Sequence, residues 1–169
     1  MRKYAYRKTA LAGIMIAVAV VGSLFSFPVL GSRCAPVQHL VNIVCAVFLG
    51  PWYGLAVAFI ASLIRVLLSL GTPLAFPGSM FGALLSGLLY SKFKKIPLAV
   101  VGEVFGTAVL GGLCAYPIAI LVMGKDAGEV AFYAYVVPFL ISTMGGAVIA
   151  SIILLALHKT GIIKKFRGE

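Results

Sequence analysis

Acidic residues are scarce in this chain. Only 4 of its 169 residues are Asp or Glu, and all charged residues together make up 11%, against roughly a quarter in soluble domains. Hydrophobic residues make up 62% of the chain. A soluble fold of this length could not hide so much apolar surface, because small domains bury only about 70% of their chain area. The composition excludes a soluble domain and predicts one compact helical bundle in a lipid bilayer.

The sequence also lacks the motifs of common catalytic sites. It contains no carboxylate pair and no HExxH, GxSxG or Asp-rich phosphate–metal motif. Its three cysteines have neither CxxC nor metal-ligand spacing. We therefore predict that the protein is not an enzyme and has neither a cofactor nor a metal site. It contains no ATP-binding loop either, so any active transport would need energy from another protein.

Basic residues, in contrast, are numerous and unevenly distributed. Most of the 14 Lys and Arg residues form three clusters between apolar segments, which is the distribution that the positive-inside rule produces at the cytoplasmic face of a membrane. We interpret the formal charge of +10 as a signal of orientation and expect no nucleic-acid partner. The clusters are Arg2, Lys3, Arg7 and Lys8; Lys92, Lys94 and Lys95; and Lys159, Lys164, Lys165 and Arg167.

Six apolar segments, separated by Pro, Gly and polar residues, are candidate membrane spans, since a helix needs about twenty residues to cross the hydrocarbon core. With the N-terminus inside, six crossings place all three basic clusters and both chain ends in the cytoplasm. A rival topology merges the second and third segments into a re-entrant hairpin. The predicted spans are 9–27, 37–49, 52–70, 77–90, 97–123 and 130–157, of which the second and fourth are short.

The predicted fold is thus an all-α membrane protein, a compact bundle of six transmembrane helices in the cytoplasmic membrane with both ends inside. Residues 1–8 form a basic cytoplasmic N-terminus, residues 9–158 the six-helix transmembrane domain, and residues 159–169 a basic cytoplasmic tail. The lipid bilayer is accordingly the first expected partner.

Three ionisable side chains lie within the predicted spans, where they cost several kcal/mol and mark functional positions by default. The first, His39, lies at the outer end of span two. It shares a helix face with Asn42, because residues three apart are neighbours on a helix. The pair either satisfies loop backbone at the membrane interface or forms a hydrogen-bonding patch that faces a ligand from outside.

Arg65 and Glu103 are the other two. At 1.5 Å per residue, Arg65 lies about 20 Å up span three, in the outer half, whereas Glu103 lies about 9 Å into span five. The difference in depth, about 10 Å, is long for a direct contact. We expect Arg65 to face inward and bind a polar substrate group or a structural acid, rather than reach the outer headgroups. For Glu103, a structural hydrogen bond and a substrate contact are equal alternatives.

Aromatic residues cluster near the outer ends of spans five and six. Tyr116, Tyr135 and Phe139 belong either to an interfacial aromatic belt, which is common in membrane proteins, or to a site that stacks rings on a flat heterocyclic ligand. The sequence leaves both interpretations open.

Small residues recur at four-residue spacing, which lets helix backbones approach closely in lipid. In the later spans this spacing predicts ordinary bundle packing. Span one carries a similar face, which either packs internally or docks another membrane protein. The residues are Gly78, Gly82 and Ser86; Gly102 and Gly106; Ser142, Gly146 and Ala150; and, in span one, Ala10, Gly13 and Ala17.

Several short motifs follow one another along the chain. They are Pro36-Val37-Gln38-His39-Leu40-Val41-Asn42, Leu49-Gly50-Pro51-Trp52-Tyr53, Leu74-Ala75-Phe76-Pro77-Gly78-Ser79-Met80, Gly102-Glu103 with Gly106-Thr107, and Tyr116-Pro117. In their order and spacing they resemble the ThiW-type substrate-binding (S) components of energy-coupling factor (ECF) vitamin transporters. The resemblance covers nearly the whole chain, from about Thr9 to Leu157.

The resemblance implies a six-helix S component that captures the thiazole precursor of thiamin, hydroxyethylthiazole, near the outer surface. Such a subunit docks on a membrane coupling subunit driven by two ATPase subunits. In S components, small residues on helix one meet the coupling subunit, which implies docking by Ala10, Gly13 and Ala17. Here Gly13 replaces one alanine of the family's motif.

On these grounds we expect residues 9–158 to bind the thiazole, with rings stacked on the heterocycle and polar side chains bonded to its hydroxyl or ring nitrogen. A phosphorylated thiazole would favour Arg65 as a charged partner. The alternative is a stand-alone facilitator or secondary carrier for a small heterocyclic metabolite, although the internal repeat that usually marks such carriers is not evident. The candidate substrate contacts are His39, Asn42, Arg65, Ser79, Glu103, Tyr116, Tyr135 and Phe139.

Overall fold

The computed structural model describes residues 2–30 and 32–167, with the side chains of residues 6–30 and 32–166. Met1, Gly31, Gly168 and Glu169, and the side chains of Arg2, Lys3 and Arg167 from the predicted basic ends, lie outside this part. The elements in chain order are α1 (Arg2–Gly22), β1 (Phe27–Val29), β2 (Ser32–Cys34), α2 (Pro36–Phe48), α3 (Pro51–Leu67), α4 (Ala75–Phe93), α5 (Ile96–Phe105), a π-helical segment (Gly106–Gly111), α6 (Gly112–Leu121), α7 (Val136–Lys159) and α8 (Ile162–Arg167).

Most helices follow the predicted apolar segments within a few residues, but α1 begins at Arg2 and ends at Gly22, where a span over 9–27 was predicted. Helix α7 begins at Val136 rather than near residue 130, and residues 124–135 form turns and irregular chain. Pro138 lies in the first turn of α7, where its missing N–H leaves no intrahelical bond unmade. The chain between α1 and α2 forms a short antiparallel hairpin that pairs Phe27 with Cys34, which the sequence did not predict.

Within the described residues, three helical stretches are long and apolar enough, by length and composition, to cross a membrane. Two shorter apolar helices, α2 and α3, lie between them in the sequence and are joined by a tight turn at Gly50, whose φ of 87° favours glycine. The described chain is therefore an all-α fold of the membrane type. The three long stretches are Tyr6–Phe25, Ile96–Leu121 and Val136–Lys159.

Helix α4 lies at the centre of the bundle, in contact with α2, α3 and α5. Its approach to α5 depends on small residues. A Cβ atom at Gly102 would lie 2.8 Å from the Ser86 backbone nitrogen, and one at Gly106 would lie 2.6 Å from the Phe81 backbone oxygen. Only glycine permits these separations, so the predicted close packing of the small residues is confirmed for this helix pair.

Contacts near the helix ends show which ends lie together. The Lys8 ammonium lies 5.8 Å from the Tyr53 ring centroid at the start of α3. The rings of Phe48, at the end of α2, and Phe166, in α8, have centroids 5.4 Å apart. The start of α1, the α2–α3 turn and α8 therefore share one end of the bundle. The hairpin and the α3–α4 loop share the opposite end.

The packing of α4 on α5 makes Gly82 sensitive to substitution. A Cβ atom there would lie 2.7 Å from the Glu103 carboxylate and would overlap the Thr107 hydroxyl. We expect Gly82→Ala to lower the free energy of unfolding by about 1–3 kcal/mol through overpacking, measured as a lower melting temperature of the detergent-solubilised protein. Gly13→Ala is the matched control, because a Cβ atom at Gly13 meets nothing within 4 Å. Equal melting temperatures for both variants would contradict the packing described here.

Candidate binding cavity

A polar cavity opens at the end of the bundle that carries the hairpin and the α3–α4 loop. Its walls come from β2, α2, α3, the α3–α4 loop, α4 and α7, so segments distant in the sequence meet there. Its volume is about 40 Å³, enough for a few water molecules, since one water needs roughly 10–15 Å³. The lining residues are Ser32, Arg33, Ala35, Gln38, His39, Arg65, Gly71, Thr72, Leu74, Ala75, Gly78, Ser79, Phe139 and Ser142.

The start of α2 is held against α7 at the wall of this cavity. Pro36 occupies the first turn of α2, and the preceding Ala35 backbone N–H donates to the Ser142 hydroxyl at 2.8 Å. At Gly146, one turn further along α7, a Cβ atom would lie 2.7 Å from the His39 Cβ atom. The absence of a side chain at Gly146 therefore lets α2 approach α7 closely and positions His39.

Glu103 organises the polar groups behind His39. Its carboxylate is fully buried, and one oxygen, Oε1, accepts from His39 Nδ1 at 2.9 Å, Asn42 Nδ2 at 2.9 Å and Thr107 Oγ1 at 3.2 Å. Because this contact uses Nδ1, the other ring nitrogen of His39 remains available for a hydrogen bond at the cavity, which His39 lines. The other oxygen of Glu103, Oε2, has no partner among the described residues.

Two amides link Glu103 to Arg65. Arg65 Nη1 donates to Gln38 Oε1 at 3.1 Å, Gln38 Nε2 donates to Asn42 Oδ1 at 3.3 Å, and Asn42 Nδ2 donates to Glu103. The direction of this chain is fixed by its ends, because a guanidinium only donates and a carboxylate only accepts. Arg65 and Glu103 thus make no direct ion pair, as their predicted difference in depth suggested.

The α3–α4 wall is held by hydroxyl groups. Ser62 and Ser79 have their oxygens 2.9 Å apart, and the Ser79 hydroxyl also lies 2.8 Å from the Ala75 carbonyl oxygen, to which it donates. Asn42 Nδ2 reaches the Ser79 carbonyl at 3.1 Å, so α2, α3 and α4 are joined at this level.

The structure brings half of the predicted substrate contacts to the cavity. His39, Arg65, Ser79 and Phe139 line it. Asn42 and Glu103 lie behind His39, fully buried. The Tyr135 ring centroid lies 6.3 Å from that of Phe139, outside the lining. Tyr116 lies apart from the cavity, with its hydroxyl 3.5 Å from the Ala127 carbonyl oxygen.

Other residues of the cavity were not predicted as contacts. Gln38 had a usable signal, because it shares a helix face with Asn42 at a spacing of four residues. Arg33 and Thr72 lie in connecting segments, where no periodicity assigns a direction to a side chain. Ser142 was noted only as a small residue of helix packing.

Metal binding has no support in the described part of the chain, where no group of three or more His, Cys, Asp or Glu residues is placed to hold an ion.

The predicted docking residues Ala10, Gly13 and Ala17 all lie exposed along α1.

The fold and the cavity define a multi-pass helical membrane protein with a polar cavity at one end of its bundle. The family model described as thiamine-precursor transporter protein (ThiW) matches residues 9–160. The chain therefore belongs to the ThiW family, which confirms the resemblance drawn from its motifs and makes it a thiamin-precursor transporter protein rather than an enzyme. No curated protein and no solved structure matches the chain.

Proposed function

We propose that the protein is the substrate-capture subunit of an ECF-type importer and binds hydroxyethylthiazole in the polar cavity. The observation that carries the proposal is the composition of that cavity. It offers the aromatic ring of Phe139 beside the polar side chains of His39 and Arg65, which suits a flat heterocycle with a hydroxyl group and a ring nitrogen.

The proposed orientation places the cavity at the extracellular face of the cytoplasmic membrane, with six crossings and both chain ends inside. It is supported by charge, since the described basic residues Arg7 and Lys8 and those near the end of α7 and in α8 lie at the end of the bundle opposite the cavity. The positive-inside rule assigns such an end to the cytoplasm.

Dependence on a coupling subunit and two ATPase subunits is proposed on two grounds. The sequence has no nucleotide-binding motif of its own, and α1 carries an exposed face of small residues against which a partner helix could pack closely. That face is formed by Ala10, Gly13 and Ala17, and it lies outside the contacts that build the cavity.

The small volume of the cavity has a consequence for binding. Because about 40 Å³ holds only a few waters, the thiazole requires its walls to separate. The hairpin and the α3–α4 loop are bridged across the mouth by the Arg33 side chain, whose Nη1 lies 3.4 Å from the Ser69 carbonyl oxygen. This contact is long and exposed, so its opening costs little.

Binding by the purified protein tests the site. We expect Phe139→Ala and His39→Ala each to raise the dissociation constant for hydroxyethylthiazole about tenfold or more, through lost stacking and a lost hydrogen bond, measured by isothermal titration calorimetry. Ser151→Ala is the control, because its hydroxyl bonds only within α7, to the Ala147 carbonyl. Unchanged affinity in both cavity variants would exclude this cavity as the site.

Uptake separates the importer from its alternative, a stand-alone facilitator or secondary carrier. Proteoliposomes that hold the chain alone are expected to bind labelled thiazole without accumulating it, and accumulation is expected only with the coupling subunit, the ATPases and ATP. Concentrative uptake by the chain alone would overturn the proposed dependence on a partner.

A further inference from the structure

Among the described residues, Arg65 is a buried cation without a counter-ion. Its side chain is only 3% exposed, its one hydrogen bond through Nη1 goes to the neutral Gln38 amide, and its Nε has no partner among the described residues. A guanidinium does not give up its proton in proteins, and burying an unpaired charge is costly. The fold therefore places the positive charge of Arg65 at the cavity wall, and no described acidic side chain is paired with it.

Two of the described acidic side chains are bonded to groups other than Arg65. Glu103 is bonded to His39, Asn42 and Thr107 through the same oxygen, and two amide side chains separate it from Arg65. Asp126 accepts from the Gly128 backbone N–H in the exposed loop after α6. Within the described part of the chain, the one close pair of oppositely ionisable side chains joins His39 to Glu103, and it leaves Arg65 out.

A second cation stands at the same cavity. Arg33, in β2, lines the cavity together with Arg65. The backbone of the α3–α4 loop lies against the guanidinium of Arg65, since a Cβ atom at Gly71 would lie 3.7 Å from Arg65 Nε. Two guanidinium groups around one small polar space, one of them buried and under-bonded, form an anion site, because the planar fork of arginine matches the oxygens of phosphate and carboxylate groups.

We infer that the preferred ligand of the cavity is a thiazole that carries an anionic substituent, either a phosphate ester or a carboxylate, and that Arg65 is its principal partner. This inference rests on the proposed function for the site and the ring, and it adds the charge of the ligand. The anionic group supplies the missing counter-ion of Arg65, and Arg33 adds a second contact at the mouth.

The test compares three ligands on the purified full-length protein at one ionic strength: hydroxyethylthiazole, its phosphate monoester and thiazoleacetic acid. We expect at least one of the two anions to bind about tenfold or more tightly than the alcohol, and the stronger of them identifies the substituent. Arg65→Gln is expected to bring the anion and the alcohol to within about threefold of each other. Arg65→Lys, which retains the charge but not the fork, is expected to keep part of the preference.

The outcomes distinguish this inference from the proposed function. If the alcohol binds as tightly as both anions, the inference is wrong and the thiazole site stands. If none of the three ligands binds, both fail. If Arg65→Gln does not fold, as judged by its melting temperature, Arg33→Gln provides the test. This variant retains the buried charge of Arg65, and the inference requires it to reduce the preference for the anion. A preference unchanged in Arg33→Gln and Arg65→Lys alike would also overturn the role of the arginines.

Discussion

Glu103→Gln is expected to destabilise the protein strongly, lowering the free energy of unfolding by about 3 kcal/mol or more and the melting temperature by roughly 6–12 °C. The carboxylate accepts from His39, Asn42 and Thr107 in a fully buried position. A glutamine there has a weaker acceptor for three donors. Its amide group would also lie where Oε2 lies, a position without a partner among the described residues, which leaves a buried donor unsatisfied. The measurement is thermal unfolding in detergent.

A matched control and a double-mutant cycle make this result specific. Glu129→Gln removes an acid from the exposed loop between α6 and α7 and is expected to leave the melting temperature unchanged. His39→Phe removes one of the three partners of Glu103, so the effects of His39→Phe and Glu103→Gln are expected to be less than additive in the double variant. Additive effects would mean that the two side chains are not coupled as the 2.9 Å contact requires.

Gly13→Leu is expected to abolish ATP-driven thiazole uptake while leaving thiazole binding intact. Gly13 is exposed on α1, and a Cβ atom built on it meets nothing within 4 Å, so we expect the isolated protein to accommodate the larger residue. A leucine would hold a partner helix away from the small face of Ala10, Gly13 and Ala17, because close approach in lipid depends on small residues at the contact. Reconstituted uptake and calorimetric binding, measured on one preparation, give the two readouts.

Cys114→Leu is the matched control for this variant. Cys114 is also small, exposed and helical, on α6, so the substitution adds a comparable apolar side chain to a different face. It is expected to leave uptake unchanged. Full uptake by Gly13→Leu would show that the coupling subunit docks elsewhere, and equal losses in the two variants would point to a general effect of added bulk in the membrane.

Much of the helical architecture was accessible from the sequence, because each helix is encoded locally. Apolar length together with Pro36, Pro51 and Gly50 located α2 and α3, whose boundaries agree with the prediction within a few residues. The hairpin was missed because Phe27–Cys34 has no alternating pattern of apolar and polar residues that would indicate a strand. Residues 130–135 were assigned to the last span because they are apolar. Turn segments at a membrane surface can be equally apolar, so composition does not distinguish the two.

The candidate site was only partly predictable. His39 and Asn42 were linked by helix spacing, and both contact Glu103. The connection to Arg65 through Gln38 crosses from α2 to α3, and the position of Phe139 beside Gly78 crosses from α7 to α4. Such contacts depend on how helices rotate and approach one another, and spacing within one helix does not determine that.

The low content of charged residues and the high content of hydrophobic residues together set the class of the protein. With few charges and long apolar segments, the chain requires lipid, and the distribution of Lys and Arg is enough to predict its orientation, because both effects depend on composition along the chain. Only the tertiary structure decided that Glu103 lies with His39 and Asn42 and that, among the described residues, no acid pairs with Arg65. Ion pairing depends on distances of a few ångströms between separate helices, which packing at residues such as Gly82 and Gly146 sets.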